Sequence, residues 1–144
     1  MTTPAISPPT SGSPAWAWIS GGSDAPSRAR RFVRSKLNGM PAKPASDVVL
    51  IVSELVANSV VHAGVGDHDA VLVELTRLDD RVRLAVTDRG SQLQPHIPAP
   101  DPDMLHGFGL RVVDQLSLAW GVVRDGAGIT QVWCDLPLDG APTL

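Results

Sequence analysis

Cysteine occurs once in the 144 residues, so no disulfide framework holds this chain together. The single thiol, Cys134, lies in the apolar run TQVWCDLPL, where a small buried core side chain is the expected reading. No stretch approaches the 18 or so consecutive apolar residues that a membrane helix needs. The first residues also lack the basic segment followed by an apolar run that marks a secretory signal, so a cytoplasmic location is expected. An excess of positive charge is missing too. Twelve Lys and Arg against 15 Asp and Glu leave a net charge of −3, which argues against a general nucleic-acid binder. What remains is a chain of one-domain length, long enough to bury a core without metal clips.

Residues 1–14, rich in Pro, Ser, Thr and Gly, offer little to bury and read as a flexible tail. Residues 15–19, AWAWI, alternate small and large apolar side chains as a first strand would, ended by Ser20-Gly21-Gly22. Ser23 or Asp24 can cap a helix with Pro26 in its first turn that runs to about Leu37. Arg28, Arg30, Arg31, Arg34 and Lys36 make that helix basic, either as a solvated face or as a docking surface for an acidic protein.

Residues 47–64, DVVLIVSELVANSVVHAG, have the Val, Leu and Ala content of a buried helix, entered near Pro44 or Ser46. Yet Glu54, Asn58 and His62 recur every fourth residue, which confines them to roughly 80° of the helix circumference. Asp47 and Ile51 share that stripe. A carboxylate one turn before a carboxamide offers oxygen ligands for a hard cation, with an imidazole one turn further on. By itself the stripe reads first as a solvated face.

Two strands follow, residues 70–78 and 81–87, alternating apolar and polar across the two-residue turn Asp79-Asp80. The second runs into Asp88-Arg89-Gly90, where a carboxylate at a strand end precedes a glycine that lets a ligand approach the backbone. Residues 91–106 hold four prolines and no periodic pattern, the composition of a lid or binding loop. Gly107-Phe108-Gly109-Leu110 then opens a helix, and glycines at a helix start leave N–H groups and the positive dipole end available to phosphate. A dinucleotide fingerprint is rejected, because a Pro-rich loop rather than a strand precedes it and Val112 stands where the third Gly or Ala belongs. The last strands cover about 118–124 and 129–136, with Trp120, Val132 and Trp133 expected in the core, and residues 139–144 form a short tail.

In order and spacing, Glu54-x-x-x-Asn58, Asp88-x-Gly90, Gly107-x-Gly109-Leu110 and Gly128-Ile129-Thr130 resemble the GHKL ATP-binding superfamily over about residues 15–137. The stretches SELVANSVVHAG and GFGLRVV are similar to the motifs of its small bacterial anti-sigma-factor-like serine/threonine kinases. The resemblance implies the Bergerat fold: an α/β (α+β) two-layer sandwich over residues 15–138, a mixed, mostly antiparallel sheet packed against about three helices, with a lid at about 91–106. It implies ATP as cofactor, ADP as product and Mg²⁺, with Asn58 the metal ligand and Glu54 the catalytic base. Asp88 would accept a hydrogen bond from the adenine amino group, and Gly90 would let the purine pack on the backbone. Gly107, Gly109 and Leu110 would give N–H groups to the phosphates, and Thr130 would help to bind the base. Phe108 and Ile129 depart from the group, which often has Arg and Lys there; Arg111 and Arg89 are candidate substitutes.

The partners so implied are a sigma factor or similar transcription regulator and an anti-anti-sigma protein of the STAS type, with no direct nucleic acid and no membrane. A homodimer is also implied, for which the first strand could supply an edge. Three readings stand open: an active kinase, a nucleotide-sensing interaction module without phosphate transfer, and an interaction domain that binds no nucleotide.

Overall fold

The computed structural model of the chain describes residues 14–62, 69–88 and 109–138. In chain order its elements are β1 (Ala15–Ser20), α1 (Ala25–Ser35), α2 (Ala42–His62), β2 (Ala70–Arg77), β3 (Arg81–Asp88), α3 (Gly109–Leu116), β4 (Ala119–Arg124) and β5 (Thr130–Pro137). The strands form one sheet in the order β1-β2-β3-β5-β4. Every described pair is antiparallel, so the expectation of a mixed, mostly antiparallel sheet narrows to an antiparallel one among the described residues. The fold is an α+β sandwich of sheet and helices, as the Bergerat resemblance implies. Residues 1–13, 91–106 and 139–144, read above as tails and lid, lie outside the described residues.

Period-two alternation builds the sheet's two faces. Val71, Val73 and Leu75 of β2, Val82, Leu84 and Val86 of β3, and Cys134 and Leu136 of β5 all point to the helix side and are buried. The β2–β3 register is set by Asp79-Asp80, where the Leu78 N–H donates to the Arg81 carbonyl at 2.7 Å. On the helix side, α1 buries Ala25, Ala29 and Val33, one residue per turn, and keeps Arg28, Arg31 and Arg34 outside, while the half-buried Arg30 donates to Ser53 Oγ of α2 at 2.7 Å. Helix α2 buries Val48, Ile51, Val52, Leu55 and Val56, and α3 adds Leu110 and Val113 to the same cluster. No described helix is long and apolar enough to cross a membrane.

Two expectations need correction. Helix α2 starts at Ala42, ahead of the anticipated entry at Pro44 or Ser46. Pro44 sits in its first turn, where a backbone N–H has no helical partner to lose. Trp133 does not join the helix-side core. Val132 and Trp133 are consecutive on a strand, so only one can face the helices, and Val132 does. Trp133 lies on the opposite face, with Gly121 and Ala85 as its cross-strand neighbours and the Arg83 guanidinium 5.0 Å from its ring. A side chain at Gly121 would come within 2.8 Å of the indole, so the small residue makes room for the ring.

That outer face also holds a charge cluster. Asp135 is 1% exposed and receives two hydrogen bonds from Arg83, at 2.7 and 2.9 Å. Trp16 and Trp18 of β1 point outward as well, 60% and 56% exposed, while the small Ala17 packs on the core. The β4–β5 hairpin turns on Gly128 at φ 92°, with Asp125 Oδ1 accepting from the N–H groups of Ala127 and Ile129.

Candidate functional site

Helix α2 meets the end of β3 at Ser59 and Asp88. Helix α2 packs against β2, β3 and β5. Asp88 is the last residue of β3, buried at 8% exposure. By the alternation of the strand it points to the helix side, a carboxylate placed where Val82, Leu84 and Val86 place apolar groups.

Directly opposite Asp88 in the ladder stands Thr130, the first residue of β5, and opposite Thr130 stands Arg124 at the end of β4. Opposed residues share a face, so these three side chains form a polar row across the sheet. On the other face, at the adjacent rung, Gln131 Nε2 donates to Thr87 Oγ1 at 2.9 Å and ties the strands together beside it.

Ser59 reaches this row from the helix. Its hydroxyl, 6% exposed, lies 2.7 Å from Asp88 Oδ2 and 3.2 Å from the Leu55 carbonyl. A hydroxyl has one proton, and the shorter contact, to the carboxylate, takes it. Sequence reasoning did not single out Ser59, because a serine in an apolar helix is ordinarily read as bonding to its own backbone. The available signal was position: Ser59 follows Asn58 in sequence but, about 100° further round the helix, sits with Leu55 on the buried side, where a hydroxyl needs a partner.

Glu54 and Asn58 are half-buried, one turn apart on α2, and Asn58 adjoins Ser59. The stripe is not uniformly wet. Ile51 is fully buried, and Asp47 is bound by Lys43 Nζ at 2.8 Å. Glu54 and Asn58 lie in the C-terminal half of α2, the half that meets Asp88 through Ser59. Gly109 is the first residue of α3, and Leu110 packs into the core at its second position. Gly90 and Gly107 lie outside the described residues, as do Arg89, Phe108 and the side chain of His62.

The structure thus brings together Asp88, Thr130 and, through Ser59, the helix of Glu54 and Asn58. A buried carboxylate at a strand end accepts a hydrogen bond from an N–H donor that reaches it, and a half-exposed carboxylate and amide offer oxygens to a cation or a proton. No three His, Cys, Asp or Glu side chains among the described residues are grouped to hold a metal ion. Asn58 can offer a cation one neutral amide oxygen, with a ligand or water as sources of others. A groove of about 330 Å³ lies elsewhere, between α1 and the first turns of α2, lined by Arg34, Leu37, Ala42, Ala45, Ser46 and Val49.

Residues 23–134 match the family described as histidine kinase-like ATPase domains. The matched span contains Glu54, Asn58, Asp88, both glycines of Gly107-x-Gly109, and Thr130. No curated protein sequence matches the chain. Among solved structures, the RsbU and RsbW domains of Rv1364c from Mycobacterium tuberculosis superpose with a TM-score of 0.66 at 23% identity. The match takes in 88% of this chain and 32% of that one, so this chain spans about a third of the other's length, and the likeness is one of fold.

Proposed function

The chain belongs to the family of histidine kinase-like ATPase domains, and on that premise we propose that it is an ATP- and Mg²⁺-binding, anti-sigma-factor-like regulator. In this reading it is a cytoplasmic serine/threonine kinase that phosphorylates an anti-anti-sigma partner of the STAS type and sequesters a sigma factor or a similar regulator. The observation that carries the reading is the buried Asp88 carboxylate. It is paired across the ladder with Thr130 and joined by Ser59 to the helix that presents Glu54 and Asn58.

Asp88 accepts a hydrogen bond from the adenine amino group; guanine presents an oxygen at that position, and a carboxylate repels it. Thr130, on the same face, supplies a hydroxyl beside the base. Asn58 gives the cation a neutral amide oxygen, and Mg²⁺ when bound neutralises phosphate charge. Glu54, one turn away, orients the attacking hydroxyl and takes its proton, in a reaction governed mainly by position and charge stabilisation. Gly109 and Leu110, at the start of α3, and Gly107, two residues before it in sequence, donate N–H groups to phosphate oxygens.

One observation favours the second reading, a nucleotide-sensing module without transfer. Ile129, half-buried just before β5, brings no cation to the site where related kinases often have Lys. Incubation with γ-labelled ATP and candidate STAS-type proteins separates the two. Label on a Ser or Thr of the antagonist supports the kinase. ATP binding with no labelled product from any candidate supports the sensor, and absence of ATP binding contradicts both.

A further inference from the structure

We infer that Ser59 is a positioning residue for base recognition: its hydroxyl fixes the Asp88 carboxylate, so this chain's preference for adenine over guanine depends on Ser59. The inference rests on the nucleotide-site reading of Asp88. Its basis is the 2.7 Å contact between Ser59 Oγ and Asp88 Oδ2, made between two side chains that are 6% and 8% exposed.

The terminal torsion of an aspartate is broad and roughly two-fold, so burial alone does not orient its carboxylate plane. A hydrogen bond to one oxygen does. Ser59 is one of the groups that hold Asp88, and it ties the carboxylate to α2. The hydroxyl had an alternative in the Leu55 carbonyl at 3.2 Å, the usual destination for a serine within a helix. The shorter contact runs instead to the carboxylate, between elements 29 residues apart in sequence. Because Ser59 follows Asn58, the same bond locks the base-reading carboxylate to the turn that carries the amide oxygen proposed for the cation. The base end and the phosphate end of the site are thereby held in one register.

Only a donor at this position serves. Alanine leaves Asp88 Oδ2 without the Ser59 bond in a buried setting, whereas threonine keeps a hydroxyl on the same carbon. The test measures ATP and GTP binding to the full chain and to Ser59→Ala and Ser59→Thr by calorimetry, with melting temperatures recorded for each protein. Loss of a hydrogen bond to a charged group predicts a roughly tenfold weaker affinity of Ser59→Ala for ATP. The ATP-to-GTP preference should fall by a similar factor, and Ser59→Thr should recover most of both. Unchanged ATP affinity and preference in Ser59→Ala overturn the inference. So does an equal loss for ATP and GTP, or a lowered melting temperature with the preference intact, since a merely structural serine would behave that way. If the unaltered chain binds neither nucleotide, the proposed function fails first, and the inference falls with it.

Discussion

Asp88 and Thr130 stand directly opposite one another in the β3–β5 ladder, their side chains on the face that the helices cover. The pairing joins residues far apart in sequence into one hydrogen-bonding edge. Thr130→Val keeps the shape and removes the hydroxyl, so it tests the polar contact without changing strand packing. If Thr130 touches the base, ATP binds several-fold to tenfold more weakly, by about 1 kcal/mol, with no change in melting temperature. Calorimetry of the two proteins side by side checks it.

Glu54 and Asn58 share a helix face but are assigned different tasks, and kinetics separates them. Glu54→Ala should bind ATP with nearly unchanged affinity and lose phosphotransfer to the antagonist by roughly 100-fold or more, the usual range for removal of a general base. Transfer that survives the substitution contradicts the assignment of the base.

Much of this was legible in the residues. The period of four in Glu54, Asn58 and His62, the alternation across Asp79-Asp80, and the carboxylate ending an alternating strand located α2, β2 and β3 and gave the sheet a helix-facing side. Two things were not legible. The pairing of Asp88 with Thr130 depends on β5 inserting between β3 and β4, a long-range register that no local pattern specifies. Ser59 was hidden because hydrogen-bonding capacity does not reveal its partner: the same side chain could satisfy the Leu55 carbonyl, and only the packing of α2 on β3 decides otherwise. Trp133 was misplaced for a simpler reason, since it and Val132 were both assigned to one face although neighbours on a strand alternate.

Arg83 and Asp135 form the principal buried ion pair of the outer sheet face among the described residues. Asp135 holds the Arg83 guanidinium firmly charged, above its ordinary range, chiefly through the paired hydrogen bonds. Arg83→Met leaves a carboxylate that is 1% exposed with Arg81 at 3.4 Å as its remaining described cation. A destabilisation of about 3 kcal/mol is expected from urea unfolding. Arg83→Lys should recover little of it, because an ammonium cannot reproduce the two-pronged geometry.

Cys134 gives a pH dependence with a definite sign. Burial pushes its thiol up to about 12 from a usual value near 9. As pH rises above 9, the unfolded chain loses this proton first, so unfolding is favoured. The thiol's contribution to stability is full below pH 9 and is lost progressively as pH rises towards 12. Stability should therefore fall more between pH 8 and 10.5 in the unaltered chain than in Cys134→Ala, by urea titration. Parallel curves would contradict the assignment. The native thiol should also resist alkylation until denaturant is added.

The central claim is that the end of β3 and the C-terminal half of α2 form an adenine nucleotide site. Its most direct test is a calorimetric titration with ATP, with and without Mg²⁺, of the unaltered chain and of Asp88→Asn. The account predicts saturable binding strengthened by Mg²⁺, and a loss of at least tenfold in Asp88→Asn, whose amide puts a donor within reach of the adenine amino group. Absence of binding by the unaltered chain, or equal affinity of the two proteins for ATP, would contradict it.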